Sequence, residues 1–117
     1  MGWFSRFKVP SVSAAQAREQ IKSGAKLVDV RENNEWTAGH APQAVHMPLA
    51  SLESKATRLS KNKPVLVICR SGNRSRTGAK KLRALGYDAG SVSGGMRAWE
   101  SAGGAILDRK GRPGRIA

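Results

Sequence analysis

The sequence predicts an α/β domain, a small, mostly parallel sheet covered by helices on both faces. Three observations carry that expectation. The 117 residues suffice for one hydrophobic core and are too few for two. Val65, Leu66, Val67 and Ile68 form an unbroken apolar run, as expected of a strand buried on both sides in a parallel sheet. Helix-like and strand-like segments alternate along the chain, the pattern of repeated βα units.

Taken in order, Ser13 stands as an N-cap before a helix over residues 14–23. Ala17 and Ile21 lie four apart on one face of it, and Gly24 follows its end. Residues 26–30 read as a short strand through Leu27, Val28 and Val30, and a brief helical turn over 32–38 is closed by Gly39. Pro48 begins a further helix in which Leu49, Leu52, Ala56 and Leu59 recur at spacings of three and four. After the apolar run, Ala79, Leu82 and Leu85 mark a helix face, Lys80, Lys81 and Arg83 point outward, and Gly86 ends the helix. A weak strand near Ser91 and Val92, a helix over 96–101 and a last strand over 105–107 complete the expected elements.

Residues 1–10 are basic and aromatic, with Trp3, Phe4 and Phe7; residues 108–117 hold Arg109, Lys110, Arg112 and Arg115 among glycines and a proline. Both read as extensions around a domain over 11–107, the second as a solvated end. Apolar residues make up 39% of the chain, and 21 Lys and Arg against 8 Asp and Glu give a net charge of +13. That charge favours anionic partners without choosing among a small anion, nucleic acid and an acidic membrane. One cysteine excludes an internal disulfide and a cysteine-pair metal site; His40 and His46 have no metal-ligand spacing. No run is long enough to span a membrane, no secretory signal is present, and Arg6 breaks the myristoylation pattern after Gly2. A cytoplasmic protein without metal or organic cofactor is expected.

The chemistry concentrates in VICRSGNRSRTG. Cys69 ends the buried strand and a helix follows shortly after, which places it beyond a strand's carboxyl end, where open α/β sheets bind ligands. Gly72 permits a tight path and Asn73 tolerates unusual φ. Curled around the sulfur, the loop Arg70, Ser71, Gly72, Asn73, Arg74 and Ser75 would aim successive N–H groups inward at the positive end of a helix dipole. A thiolate there is stabilised, so its pKa is expected below the ordinary value of about 8.5. A lone cysteine is often an inert small hydrophobe; the attached loop argues otherwise. Arg74 and Arg76 sit where the macrodipole disfavours cations by about 0.3–1 kcal/mol each. With Arg70 nearby, they imply an anion among them.

The ordered segments VDVRENNEWTAGHAPQAVHMP, VICRSGNRS and SGGMRAW closely resemble the rhodanese domain over about residues 11–107. The resemblance implies a rhodanese-like α/β fold and a thiosulfate sulfurtransferase activity. It makes Cys69 the sulfur-accepting nucleophile and Arg70 to Ser75 the substrate-binding loop, with Asp29 and Arg31 as buried polar supports. The Gly39, His40, Ala41, Pro42 turn and Gly94, Gly95, Met96 with Trp99 would be fold markers. Ala41 and Gln43 depart from the usual pattern, which has a larger aliphatic and a glycine there. His40 reads as a turn residue, since a thiolate activated by its loop needs no base.

The expected reaction is ping-pong. Cys69 takes sulfane sulfur from a small anionic donor such as thiosulfate, becomes a persulfide, and yields the sulfur to cyanide or a thiol, including a protein thiol. The nearest rival reaction is phosphate-ester hydrolysis by the related cell-cycle phosphatases, whose loop places five residues between cysteine and arginine. Only four separate Cys69 from Arg74, a nest sized for one sulfur rather than a phosphoryl group. The alternative from another class is a non-catalytic module binding nucleic acid or an acidic membrane through its basic face. The scarcity of aromatics among the basic residues counts against it.

Overall fold

The computed structural model describes residues 9–117; Trp3, Phe4 and Phe7 of the expected N-terminal extension lie outside the described residues. The strands are β1 (Ser11–Val12), β2 (Lys26–Asp29), β3 (Ala44–His46), β4 (Val65–Ile68) and β5 (Ala89–Val92). The helices are α1 (Ala14–Lys22), α2 (Asn33–Ala38), α3 (Leu52–Lys55), α4 (Asn73–Ala84) and α5 (Gly95–Ser101). All five strands pair in parallel in the order β1-β5-β4-β2-β3. The fold is therefore α/β with an all-parallel central sheet, as the alternation of segments requires. Among the described residues no helix is long and apolar enough to cross a membrane.

Strand alternation builds two cores. Val28, Val30, Val65 and Val67 face one side, packed with Leu52, Ala56, Ala79 and Leu82 from α3 and α4. Leu27, Leu66 and Ile68 face the other, packed with Ala17 of α1 and Met96 and Trp99 of α5. Neighbouring residues of one apolar run thus serve opposite layers. Helix α1 begins as expected: Ser13 Oγ accepts from the Gln16 N–H, and the Gln16 side chain accepts from the Ser13 N–H in return.

Several expectations about the elements need correction. The last strand over 105–107 does not join the sheet; Leu107 makes isolated antiparallel bridges to His40 and Pro113, and β1 and β3 already hold the two edges. Both of those edge strands went unread, being only two and three residues long and too short to show a period. The helix after Pro48 is α3 alone, flanked by 3₁₀ turns at Leu49–Ser51 and Ala56–Arg58; Leu52, Ala56 and Leu59 are nonetheless buried. Leu85 is 42% exposed. A step of three residues rotates about 60° short of a full turn, so Leu85 leaves the face that Ala79 and Leu82 share. Tyr87 is buried beyond the helix end instead, its hydroxyl donating to the Ala56 carbonyl at 2.6 Å.

Residues 108–117 fold back onto the domain. Asp108 closes the turn, its carboxylate accepting from the Lys110 and Arg112 N–H groups at 2.9 Å each. The Gly114 N–H then donates to the Ile106 carbonyl at 2.9 Å and the Arg115 N–H to the Ala38 carbonyl at 3.0 Å. Ile116 packs on the α1–α5 core. Backbone pairing and an apolar contact hold this segment where composition alone suggested a solvated end.

Candidate active site

Cys69 follows β4 directly and is 1% exposed. The chain then turns through Arg70, Ser71 and Gly72 into α4, which already begins at Asn73. Gly72 takes φ 123°, a conformation that a side chain would make costly, and its N–H donates to Cys69 Sγ at 3.0 Å. Asn73, read in the sequence as a loop residue that tolerates unusual φ, is instead the first residue of the helix, and its side chain is exposed. The start of α5 closes the loop from the other side: the Met96 N–H donates to the Cys69 carbonyl at 2.9 Å. Gly95, at φ 57°, lies so close that a Cβ there would meet the backbone of Cys69 and Arg70.

Burial is the largest influence on the Cys69 thiol and pushes its pKa up, but donors outweigh it. The Ser75 hydroxyl and the N–H groups of Ser75, Gly72 and Ser71 together hold the thiol below its ordinary pKa. Ser75 is buried, and its Oγ lies 2.9 Å from the Gly72 carbonyl and 2.7 Å from Ser91 Oγ. Ser91, on β5 and also buried, has no other partner for its hydroxyl among the described residues. With Ser91 donating to Ser75, the single Ser75 proton is left to the Gly72 carbonyl or the sulfur, and a charged sulfur is the stronger acceptor. Sequence reasoning missed Ser91; a lone serine in a weak strand carries no signal.

The structure spreads the loop arginines apart. Arg74, expected beside a substrate anion, forks onto Glu35 of α2, with Nη1 to Oε1 at 2.6 Å and Nη2 to Oε2 at 2.9 Å. The anion that the crowded cations implied is, for Arg74, part of the protein. That pairing, above all other influences, lowers the Glu35 pKa to about 2, against an opposing push from burial. Glu35 was also missed, because nothing in the sequence links two residues 39 apart. Arg70 Nε donates to the Ala117 carbonyl at 3.0 Å, and Arg76 is exposed on α4.

Asp29 and Arg31, both fully buried, pair beneath this arrangement at 2.8 Å. Arg31 Nη2 also donates to the Gly39 carbonyl at 2.7 Å, pinning the end of α2 and with it Glu35. Trp36 of the same helix stacks with both His40 and His46, with ring centroids 3.6 and 4.7 Å away. His40 Nδ1 bonds the Trp36 carbonyl at 2.7 Å and His46 Nε2 the Arg31 carbonyl at 2.7 Å. His40 is thus engaged within its own turn.

The profile of the rhodanese-like domain family matches residues 13–102. The chain belongs to that family. Among curated relatives of this rhodanese-like domain, Bacillus subtilis (strain 168) YtwF, named as a candidate sulfurtransferase, is 39% identical over 95 residues, which cover 80% of this chain and 92% of that protein. YrkF of the same organism, named as a candidate sulfur carrier protein, is 34% identical over 78% of this chain and 51% of its own length. Among solved structures, a rhodanese-related protein from Thermoplasma volcanium superposes with a TM-score of 0.76 at 33% identity, covering 84% of this chain and 97% of that one. The rhodanese-like fold and the sulfurtransferase character of the family follow from these likenesses.

Proposed function

We propose that this protein transfers sulfane sulfur from an anionic donor of the thiosulfate type to cyanide or a thiol, a protein thiol included, through a persulfide on Cys69. One observation carries the reading: a thiol at the carboxyl end of the central strand, enclosed by loop N–H groups and held below its ordinary pKa. The Cys69 thiolate attacks the outer sulfur of thiosulfate; the S–S bond of the donor breaks, sulfite leaves with the bonding pair, and Cys69 retains a persulfide anion. An acceptor thiolate or cyanide then attacks the terminal sulfur and restores the thiolate. The N–H groups of Ser71, Gly72 and Ser75 that favour the thiolate would favour the persulfide anion as well.

Four residues between Cys69 and Arg74, and a guanidinium already occupied by Glu35, both count against phosphoryl transfer. Intact-mass measurement after thiosulfate treatment tests the reading. A single added sulfur, removable by cyanide and absent in Cys69→Ser, is expected. An adduct that persists in Cys69→Ser would overturn it, since the chain has no second cysteine.

A further inference from the structure

The start of the chain has no part in the sulfur chemistry. Residues 1–8 hold Trp3, Phe4 and Phe7, half of the chain's aromatic residues (3 Trp, 2 Phe and 1 Tyr), interleaved with Arg6 and Lys8. Where that segment joins the domain, Val9 packs on the core that contains Tyr87 and Ala89, and the Pro10 carbonyl accepts from the Ser91 N–H at 2.8 Å. Because β1 runs parallel to its neighbours, the chain arrives at the end of the sheet where β2 and β4 also begin. That end is cationic. Lys26 opens β2, and Lys61 and Lys63 lie in the exposed turn before β4. Lys61 Nζ lies 5.2 Å from the centre of the Tyr87 ring. The Lys61 and Lys63 ammonium groups border Gly86 and Gly24, which follow the ends of α4 and α1. Among the described residues none of these three lysines pairs with a carboxylate, and Glu19 and Asp88 nearby already hold Lys22 and Arg83. Leu85, 42% exposed, ends α4 next to Gly86. Cys69 stands at the other end of the sheet, six residues beyond Lys63 (69 − 63), a distance of about 20 Å by strand length.

We propose that this end of the sheet docks on an anionic lipid bilayer. Trp3, Phe4 and Phe7 enter the interface, Lys26, Lys61 and Lys63 face the headgroups, and Cys69 is directed away from the membrane. Aromatic rings favour the boundary between headgroups and acyl chains. Stable attachment takes two signals, an apolar insertion and a basic patch, and here both meet at one end of the fold. The three rings recur at the spacings of three and four that share one face of an interfacial helix. Exposed Leu85 adds apolar surface beside the lysines. Nucleic acid is the poorer fit, because bases stack on accessible rings and Tyr87, the ring beside Lys61, is buried. The docking is independent of the Cys69 chemistry.

The test measures binding of the full chain, at physiological salt, to vesicles of equal parts phosphatidylcholine and phosphatidylglycerol and to vesicles of phosphatidylcholine alone. The wild type should bind the anionic vesicles about tenfold or more tightly. Lipids brominated on the acyl chain should quench its tryptophan fluorescence, and Trp3→Leu should remove that quench. Each cation near an anionic surface contributes about fivefold, so Lys61→Gln/Lys63→Gln should weaken binding by about tenfold or more. Arg76→Gln/Arg97→Gln removes the same charge from exposed side chains near the Cys69 end. A surface potential that decays over about 8 Å does not reach them, so that variant should weaken binding by about twofold or less. Equal binding to both kinds of vesicle, no quench in the wild type, or a quench that survives Trp3→Leu would overturn the proposal. So would undiminished binding by the lysine variant or an equal loss in the arginine variant. If the vesicles fail to bind while a short single-stranded RNA binds and Lys61→Gln/Lys63→Gln weakens it, the lysine end serves nucleic acid and the proposal falls.

Discussion

At Cys69 two effects of comparable kind oppose each other, since the burial that penalises a thiolate is what brings the loop donors within reach of it. The hydroxyl of Ser75 should be the most sensitive of these donors, because it is polarised in turn by Ser91. A hydrogen bond to a charged group contributes about 1.5–3 kcal/mol, equivalent to about 1–2 pKa units. Ser75→Ala should therefore raise the pH midpoint of iodoacetamide alkylation by about that amount. Ser91→Ala leaves the donor and removes only its polarisation, so a smaller upward move is expected; no movement would mean that the serines are uncoupled. Glu35 gives a second residue-scale prediction, in stability. In the folded protein it stays charged down to about pH 2, whereas its ordinary value is 4.5. The stabilisation is complete above about pH 5 and fades as pH falls toward 2. It is at most about 3 kcal/mol, and water's access to Arg74 brings it to about 1–2 kcal/mol. Urea titrations of wild type and Glu35→Gln should differ by that amount at pH 6 and converge near pH 2.

At the scale of elements, the loop keeps its shape because α5 abuts it. Gly95→Ala would introduce a Cβ against the backbone of Cys69 and Arg70 at a left-handed φ. The variant should lose at least about 1–3 kcal/mol of stability and raise the thiol pKa, measured by urea denaturation and alkylation on the same sample. Elements were legible in the sequence where local signals agree with packing. β4 shows four consecutive apolar residues, α1 its cap and small buried alanines, and Cys69 a loop whose glycine and polar residues have few other uses. What stayed hidden depends on partners remote in sequence. β1 and β3 exist because β5 and β2 offer edges to pair with, and the fork of Arg74 is decided by Glu35 on another helix. The rotation that exposes Leu85 came from reading spacings of three as though they held one face.

For the whole molecule, the C-terminal segment decides whether the site is bounded by the core alone. Treating residues 109–117 as a solvated end would make their removal nearly silent, because exposed charges beyond about 8–10 Å are largely screened at physiological salt. The geometry argues for a larger effect. The segment supplies the backbone partner of Arg70 Nε at 3.0 Å, the Arg115 N–H that ties it to Ala38, and Ile116 on the α1–α5 core. Deleting residues 109–117 should cost about 1–2 kcal/mol, the part of a full isoleucine burial that a half-buried one retains, and should lower the urea midpoint accordingly. It should also free Arg70, so KM for thiosulfate should change at physiological salt as well as at low salt. Asp108→Asn separates the two causes. It weakens the turn that returns the chain while keeping Ile116 and every positive charge of the segment. If the deletion acts through lost packing and a released Arg70, Asp108→Asn should reproduce part of both effects. If it acts through charge alone, Asp108→Asn should leave the urea midpoint and the KM where they were, and only the deletion should respond to salt.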